Sequence, residues 1–249
     1  MSAIDRKRWC LGNKTVKEKL LKMKVCDYLV DFLVKKGIDT AFVFTGGAIA
    51  HVIDAVAKRS NEIEYVCVQN EQVGAMAAEA YSRTGNANGV TMVTSGPGAT
   101  NLITGIVGAW YDCIPAIYIT GQVRTWEMTN DKGTLQDGFQ EVDICSQVKK
   151  VTKYAKTLSK KSDIPYELEK AYFLANSGRK GPVLIDLPMD IQVAELSNKE
   201  INTANEFNCC TSDHSIKDEI TKFYDLFEKS VKPLILIGGG VKHASIKSF

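Results

Sequence analysis

Val90-Thr-Met-Val-Thr-Ser-Gly-Pro-Gly-Ala-Thr-Asn-Leu-Ile-Thr-Gly-Ile-Val-Gly-Ala-Trp-Tyr111 carries the pattern that decides the fold. Val90 to Thr94 is a short apolar and β-branched run, Ser95-Gly96-Pro97-Gly98 is a turn signal, and Ala99 to Tyr111 repeats apolar residues at helical spacing. A strand that feeds a helix needs a crossover to reach its next neighbour, so repeating the unit builds a parallel sheet. The unit does repeat. Upstream, Ala41 to Phe44 precedes Ile49, Val52, Ile53 and Val56, and Glu64 to Val68 precedes a helix over Gln72 to Arg83. Downstream come strands at Pro115 to Thr120, Val151 to Ala155 and Pro182 to Leu187; the last two are separated by a helix that Asp163 caps, with Pro165 in its first turn and Gly178 at its end. An amphipathic helix marked by Val25, Tyr28, Leu29, Phe32 and Leu33, and stopped by Gly37, leads into the series. The predicted class is α/β: a doubly wound, mainly parallel six-stranded sheet with helices on both faces.

Boundaries follow from composition. Residues 1–22 read as a basic lead-in and 23–193 as the main domain; 194–212 form a polar linker containing Asn198, Asn202, Asn205 and Asn208. Residues 213–249 begin a second α/β domain, with a helix over Ile216 to Val231, a buried strand over Pro233 to Ile237 and a turn at Gly238 to Gly240. The whole chain has 249 residues, which at ~150 per domain allows between one and two domains. Hydrophobic residues make up 45% and charged residues 24%, which excludes a disordered chain. The balance of 31 Lys+Arg against 29 Asp+Glu gives no global field favouring nucleic acid or an anionic bilayer. No apolar run approaches the ~18 residues of a membrane span, and the first residues lack a secretory core, so a cytoplasmic location is expected.

The seven cysteines form no C-x-x-C pair and read as reduced thiols, mostly buried, with Cys209-Cys210 in the linker. His51, His214 and His243 are not grouped with other ligands, so no metal site is expected. Gly-x-Ser-x-Gly is absent, which argues against an α/β-hydrolase.

Ligands of open parallel sheets sit outside the carboxyl ends of the strands, which singles out the turns after each run. These are Thr45-Gly46-Gly47-Ala48, Asn70-Glu71-Gln72, Ser95 to Asn101, and Gly121-Gln122-Val123, the last opening a long loop from Arg124 to Phe139. Two of them admit two readings. Glu71 is either a carboxylate favoured at a helix N-terminus by ~0.3 to 1 kcal/mol or an acid–base group. Ser95 to Gly98 is either a tight structural turn or an anion cradle, although Asn101 stands where a dinucleotide motif has its third glycine. Glu79, two turns beyond Glu71, reads as a solvated-face residue.

Taken together, Asn70-Glu71-Gln72, Thr94-Ser-Gly-Pro-Gly-Ala-Thr-Asn101, Ile119-Thr-Gly-Gln-Val123, Gly138-Phe-Gln-Glu-Val-Asp143 and Gly181-Pro-Val-Leu-Ile-Asp-Leu-Pro188 resemble the amino-terminal half of thiamine-diphosphate enzymes. The nearest look is to the acetolactate synthase large subunit. The resemblance runs from about Met23 to Val193, and Lys232-Pro-Leu-Ile-Leu-Ile-Gly-Gly-Gly240 is similar to the opening of that family's central domain. It implies that residues 23 to 193 bind the cofactor's pyrimidine, with Glu71 hydrogen-bonding N1′ of the ring so that the thiazolium is activated for attack on a 2-oxo acid such as pyruvate. That role requires desolvation to favour a shared proton on the carboxyl, for which Val66, Val68 and the Ala-rich helix are the candidates. The resemblance further implies cofactor contacts at Gly46, Gly47, Thr94, Pro97, Asn101 and Gln140, an FAD contact at Arg179, and an oligomer or a partner carrying the diphosphate-binding domain.

Departures accompany the match. Phe44-Thr45 stands where the family has Tyr-Pro, Asn70 where acetolactate synthases commonly have His, and the loop from Arg124 to Leu135 is longer. The family's Gly-Asp-Gly, whose region holds Mg²⁺ on the diphosphate, does not occur in these residues. The expectation is the amino-terminal part of a thiamine-diphosphate-dependent 2-oxo-acid decarboxylase or carboligase, inactive without a diphosphate-binding half. A non-catalytic binding or interaction subunit of the same fold is the alternative, and a nucleotide-binding protein using Ser95 to Asn101 is a third.

Overall fold

A computed structural model describes residues 22–85, 87–129, 133–202 and 216–236. The chain divides into two compact units, Met1–Phe207 and Asn208–Phe249. In the first, β1 (Met23–Lys24) runs into α1 (Val25–Lys35), followed by β2 (Thr40–Val43), a 3₁₀ turn at Gly47–Ile49, α2 (Ala50–Lys58), β3 (Glu64–Cys67) and α3 (Glu71–Thr84). Next come β4 (Val90–Val93), α4 (Pro97–Thr100), α5 (Ile103–Tyr111), β5 (Ile117–Gln122), α6 (Ile144–Val148), β6 (Tyr154–Thr157) and α7 (Ile164–Asn176). The unit ends with β7 (Val183–Pro188), α8 (Met189–Gln192), β8 (Glu195–Leu196) and α9 (Asn198–Ile201).

Six strands form one parallel sheet in the order β3-β2-β4-β5-β7-β6. The period-2 alternation of the central strands sorts the core into two layers. Ile117, Ile119, Val183 and Ile185 pack with Leu29, Leu33, Val52 and Leu168 under α1, α2 and α7. Tyr118 and Leu184 face the other way, against Ala75, Leu102, Ile106 and Val148 under α3, α5 and α6. Helices therefore cover both faces, as the doubly wound reading requires. Because the chain leaves β2 for β3 on one side and later returns to β4 on the other, the order reverses between β2 and β4. Crossovers diverge there and open a crevice at the carboxyl ends of the strands.

Several local expectations change. The helix drawn over Ala99 to Tyr111 is two, because the turn tightens where Leu102 N–H donates to Ala99 O at 3.1 Å, three residues back. Gly121 and Gln122 lie inside β5, paired with Leu187 and Pro188, rather than in the loop after it. Asp163 occupies the N-cap position of α7, but its side chain makes no capping bond. The stretch from residue 194 does not begin as a linker. Leu196 is fully buried in β8, which pairs antiparallel with β1, and Ser197 and Glu200 then form a capping box on α9. Ser-x-x-Glu was a readable helix start, obscured by the surrounding asparagines.

The second unit contains α10 (Ile216–Lys229). Its proposed strand is not formed over 233–236, where Leu234 and Leu236 are 93% and 95% exposed; an apolar run becomes a strand only beside another strand. Ile237, Gly238 to Gly240, residues 1–21, Cys10, Cys209, Cys210, His214 and His243 lie outside the described residues. Among the described cysteines, Cys26 is buried, Cys113 and Cys145 are half-buried, and Cys67 is exposed on the edge strand β3, against the expectation of burial. No helix among the described residues is long and apolar enough to cross a membrane.

Candidate functional site

Thr94, leaving β4 beside the crevice, is the point on which the turns converge. Its Oγ1 accepts the Ala48 N–H at 3.2 Å, which pins the 3₁₀ turn after β2 to the end of β4. The approach is close because glycines stand on both sides. A Cβ on Gly46 would lie 2.4 Å from Thr94 Cβ, and one on Gly98 would lie 2.8 Å from Thr94 Cγ2. Gly96 adopts φ +62° and ψ −126°, a region open essentially only to glycine, and the chain reverses there so that Pro97 starts α4.

Glu71 is the first residue of α3. The N-cap is Asn70, whose Oδ1 accepts Gln72 N–H at 2.8 Å; this gives the asparagine at that position a structural role of its own. Relieved of capping, the Glu71 side chain turns inward and is 8% exposed. Its Oε2 accepts a hydrogen bond from Asn101 Nδ2 at 2.9 Å. Asn101 sits in the tightened turn between α4 and α5, so the local 3₁₀ geometry aims its amide at the carboxylate. Oε1 has no hydrogen-bond donor among the described residues and faces Gly98, where an added Cβ would lie 3.4 Å away.

Small residues, rather than valines, shelter this carboxyl. Val66 lies on the edge strand and is 38% exposed, and Val68 is only half-buried, which corrects the expectation that they would dry the site. Gly74, Ala75 and Ala78 of α3 are themselves buried and let the helix press onto β4 and α5. Thr91 Oγ1 donates to Gly74 O at 2.6 Å, and an added Cβ on Gly105 would meet Ala75 Cβ at 2.5 Å. Glu79 is also not a freely solvated residue: its half-buried carboxylate pairs with Arg83, which in turn pairs with Asp112.

Gln140 approaches from the opposite loop. Its backbone holds φ +60° and packs on Gly96, where a Cβ would come within 2.7 Å of Gln140 O. Beside it, the Glu141 carboxylate accepts from Thr129 N–H, Thr129 Oγ1 and Asp137 N–H, gathering the loop into a bracket. Partial burial pushes the Glu141 carboxyl up, but these hydrogen bonds outweigh it and hold the group below its ordinary range.

The structure thus brings Gly46, Glu71, Thr94, Asn101 and Gln140 to one crevice, with Gly96 and Gly98 as its closest backbone. Gly47 and Pro97 lie exposed at the rim, and a Cβ on Gly47 would meet nothing within 4 Å. Arg179 lies elsewhere. It precedes β7 at the amino ends of the strands, where its Nε donates to Cys113 Sγ at 2.8 Å. Two residues escaped the sequence reading. Gln192 of α8 is fully buried and donates to Ala48 O at 2.6 Å and Leu187 O at 2.8 Å, and Asp186 of β7 is fully buried among hydroxyl and amide donors. The available signal was a polar residue two positions before, and another four positions after, the proline that ends β7.

Chemically, the crevice offers a carboxyl with one oxygen anchored by Asn101 and the other without a hydrogen-bond donor among the described residues, facing the Gly98 backbone. Residues 23–147 match the family model described as thiamine pyrophosphate enzyme, N-terminal TPP binding domain. The chain is 37% identical over 225 residues to the chloroplastic acetolactate synthase of Arabidopsis thaliana, covering 89% of this chain and 32% of that protein. It is 36% identical over 218 residues to the mitochondrial acetolactate synthase catalytic subunit of Saccharomyces cerevisiae, covering 85% and 31%. With the acetolactate synthase isozyme 2 large subunit of Escherichia coli it shares 38% identity over 219 residues, covering 88% and 38%. It spans about a third of the length of these relatives. With the family model matched over half of its residues and the buried Glu71 crevice inside that match, the chain belongs to the thiamine pyrophosphate enzymes that carry this N-terminal TPP binding domain.

Proposed function

We propose that this chain supplies the aminopyrimidine-binding half of a thiamine-diphosphate site in an acetolactate-synthase-like decarboxylase or carboligase acting on a 2-oxo acid such as pyruvate. The observation that carries the reading is the Glu71 carboxyl, buried at the β2/β4 crevice with Oε2 held by Asn101 and Oε1 left open above Gly98. The donor set suits a planar nitrogen heterocycle. A ring can lie against the Gly98 backbone with the free carboxyl oxygen at its edge to share a proton with a ring nitrogen, while the missing Cβ atoms of Gly46 and Gly98 make room for the Thr94 side chain between them. Thiamine diphosphate, when bound, supplies the acidic thiazolium carbon on which decarboxylation of 2-oxo acids depends.

The chain's own residues have separable tasks. Glu71 Oε1 would hold the proton shared with the ring, while Asn101 prevents the carboxyl from rotating away through a charge-assisted hydrogen bond of about 1.5–3 kcal/mol. Asn70 sets the first turn of α3, and with it the Cα position from which Glu71 reaches. Thr94 keeps the Gly46 turn seated, and Gln140 forms the wall at Gly96. Among the described residues no group of His, Cys, Asp or Glu could hold a metal ion. The magnesium ligands for the diphosphate belong, in this reading, to a Gly-Asp-Gly-bearing segment outside these residues, without which they are inactive. FAD is given no chemical part, since Arg179 lies at the opposite end of the sheet.

The test combines the chain with a polypeptide carrying that diphosphate-binding segment and measures CO₂ release from pyruvate. Activity is expected, and Glu71→Gln lowers it by about 10²–10⁴-fold, the range for loss of a positioned acid–base group. Full activity in Glu71→Gln refutes the assignment.

A further inference from the structure

Asp186 is fully buried in β7, yet none of its hydrogen-bond partners is a cation. Its Oδ1 accepts from Thr120 Oγ1 at 2.7 Å, and its Oδ2 accepts from Thr157 Oγ1 at 2.9 Å and Gln122 Nε2 at 3.0 Å. Since β7 lies between β5 and β6, the carboxylate ties three neighbouring strands at their carboxyl ends. An apolar residue would fill this strand position without the cost of burying a charge, so the polar cluster calls for a further role.

Gln122 is the member that reaches out of the sheet. Its second Nε2 hydrogen goes to Val142 O at 2.8 Å, and its Oε1 accepts Val123 N–H at 3.0 Å. Turning the amide over would set Oε1 against the Asp186 carboxylate, so Asp186 fixes which way Gln122 points. Val142 is two residues beyond Gln140, whose φ of +60° is costly for a side-chain-bearing residue, by about 1–3 kcal/mol, and persists only where the surroundings over-determine it. Gly96 provides the surface on which that backbone rests, and the Gln122 bond anchors the chain that follows it.

We propose that Asp186, acting through Gln122, is a positioning residue that holds the Gln140 loop against Gly96 and so sets one wall of the crevice. The functional consequence rests on the thiamine-diphosphate reading of that crevice; the mechanical connection does not.

Four variants of the 249-residue chain test it. Gln122→Leu and Asp186→Leu break the connection. Asp186→Asn preserves it, because the amide can turn its oxygen to Gln122 and Thr157 while its nitrogen donates to Thr120 Oγ1. Thr157→Val removes a donor from the same oxygen but leaves the path to Val142 intact. Amide hydrogen exchange over residues 138–143 is expected to speed up at least about tenfold in the two leucine variants, equivalent to about 1.4 kcal/mol of local opening, and to stay at the parental rate in Asp186→Asn and Thr157→Val. With the diphosphate-binding polypeptide and Mg²⁺ present, calorimetry with thiamine diphosphate is expected to show affinity falling in the same two variants and recovering in Asp186→Asn. Should Asp186→Leu fail to fold, Gln122→Leu carries the test. Equal loop opening in Gln122→Leu and Thr157→Val, or none in Gln122→Leu, overturns the proposal. If the parent chain together with the diphosphate-binding polypeptide and Mg²⁺ does not bind thiamine diphosphate while the exchange pattern holds, the failure belongs to the cofactor reading and the Asp186–Gln122–Gln140 connection stands.

Discussion

Raising the pH through neutrality should weaken the fold by an amount traceable to Asp186. Complete burial pushes its carboxyl from 3.8 up to about 7; the hydrogen bonds from Thr120, Gln122 and Thr157 oppose the shift without cancelling it, and the negative charge of Asp143 adds to it. Cys145, the other acid beside the cluster through Thr157, is pushed by burial to about 12 and stays neutral. Because the native value lies above the unfolded one, the native state binds the proton more tightly. The contribution of the group is fully present below 3.8 and is lost as pH rises to about 7. In that window the unfolded chain has released a proton that the native chain keeps, so stability falls by about 1.4 kcal/mol per pH unit, or about 4 kcal/mol across the whole window. Asp186→Asn keeps the hydrogen-bond geometry and removes the titration. Urea unfolding followed by circular dichroism at half-unit intervals should therefore give a wild-type-minus-variant difference that drops by about 2–3 kcal/mol between pH 5 and 7 and then levels off. Taking the difference removes the contributions of the other titrating groups. A difference that stays flat, or that grows with pH, refutes the argument that burial outweighs the three hydrogen bonds.

Two further perturbations separate the site from the scaffold. Gly46→Ala places a methyl group 2.4 Å from Thr94 Cβ and should cost about 1–3 kcal/mol in urea unfolding together with thiamine diphosphate affinity, whereas Gly47→Ala, with no atom within 4 Å, should leave affinity at the parental level. Asn70→Ala removes the N-cap of α3 and should lower stability by about 0.5–2 kcal/mol, with Asn70→Ser or Asn70→Asp recovering most of the loss in the same urea titration.

Much of this arrangement is legible in the amino-acid sequence because the physics is local. Short continuous apolar runs such as Val183 to Leu187 and period-3.6 runs such as Val25 to Leu33 announce their own partners in a layered α/β fold. Parallel topology then puts every strand-to-helix turn at one end of the sheet, which is enough to single out the turns at Gly46-Gly47, Asn70-Glu71-Gln72 and Ser95 to Asn101, while Thr94 and Gln140 as individual contacts come only from the family resemblance. What could not be read depends on lateral order. Val66 looks like a core residue until β3 is seen to be the edge of the sheet. Asp186 looks like an interruption in an apolar strand until Thr120 and Thr157 are found on either side of it, and no periodicity predicts that β7 inserts between β5 and β6. Leu196 failed for a related reason: its partner strand, Met23–Lys24, lies at the far end of the unit in sequence.

Lateral order also explains why Glu71 belongs to this crevice. It follows β3, the strand farthest from β5, and a carboxylate placed there by local sequence alone would sit over the sheet's exposed margin. The next strand to be laid down, however, is β4, on the other side of β2. α3 must therefore cross above β2, and its small-residue face seats Gly74 on Thr91 of β4 and Ala75 on Gly105 of α5. That crossing draws the start of the helix inward, so that Glu71 meets Asn101 from the turn after β4, 30 positions later in the chain. The crossover required by strand order, rather than any property of the tripeptide Asn70-Glu71-Gln72, is what converts an ordinary helix-terminal glutamate into a buried carboxyl with one oxygen anchored and one oxygen free.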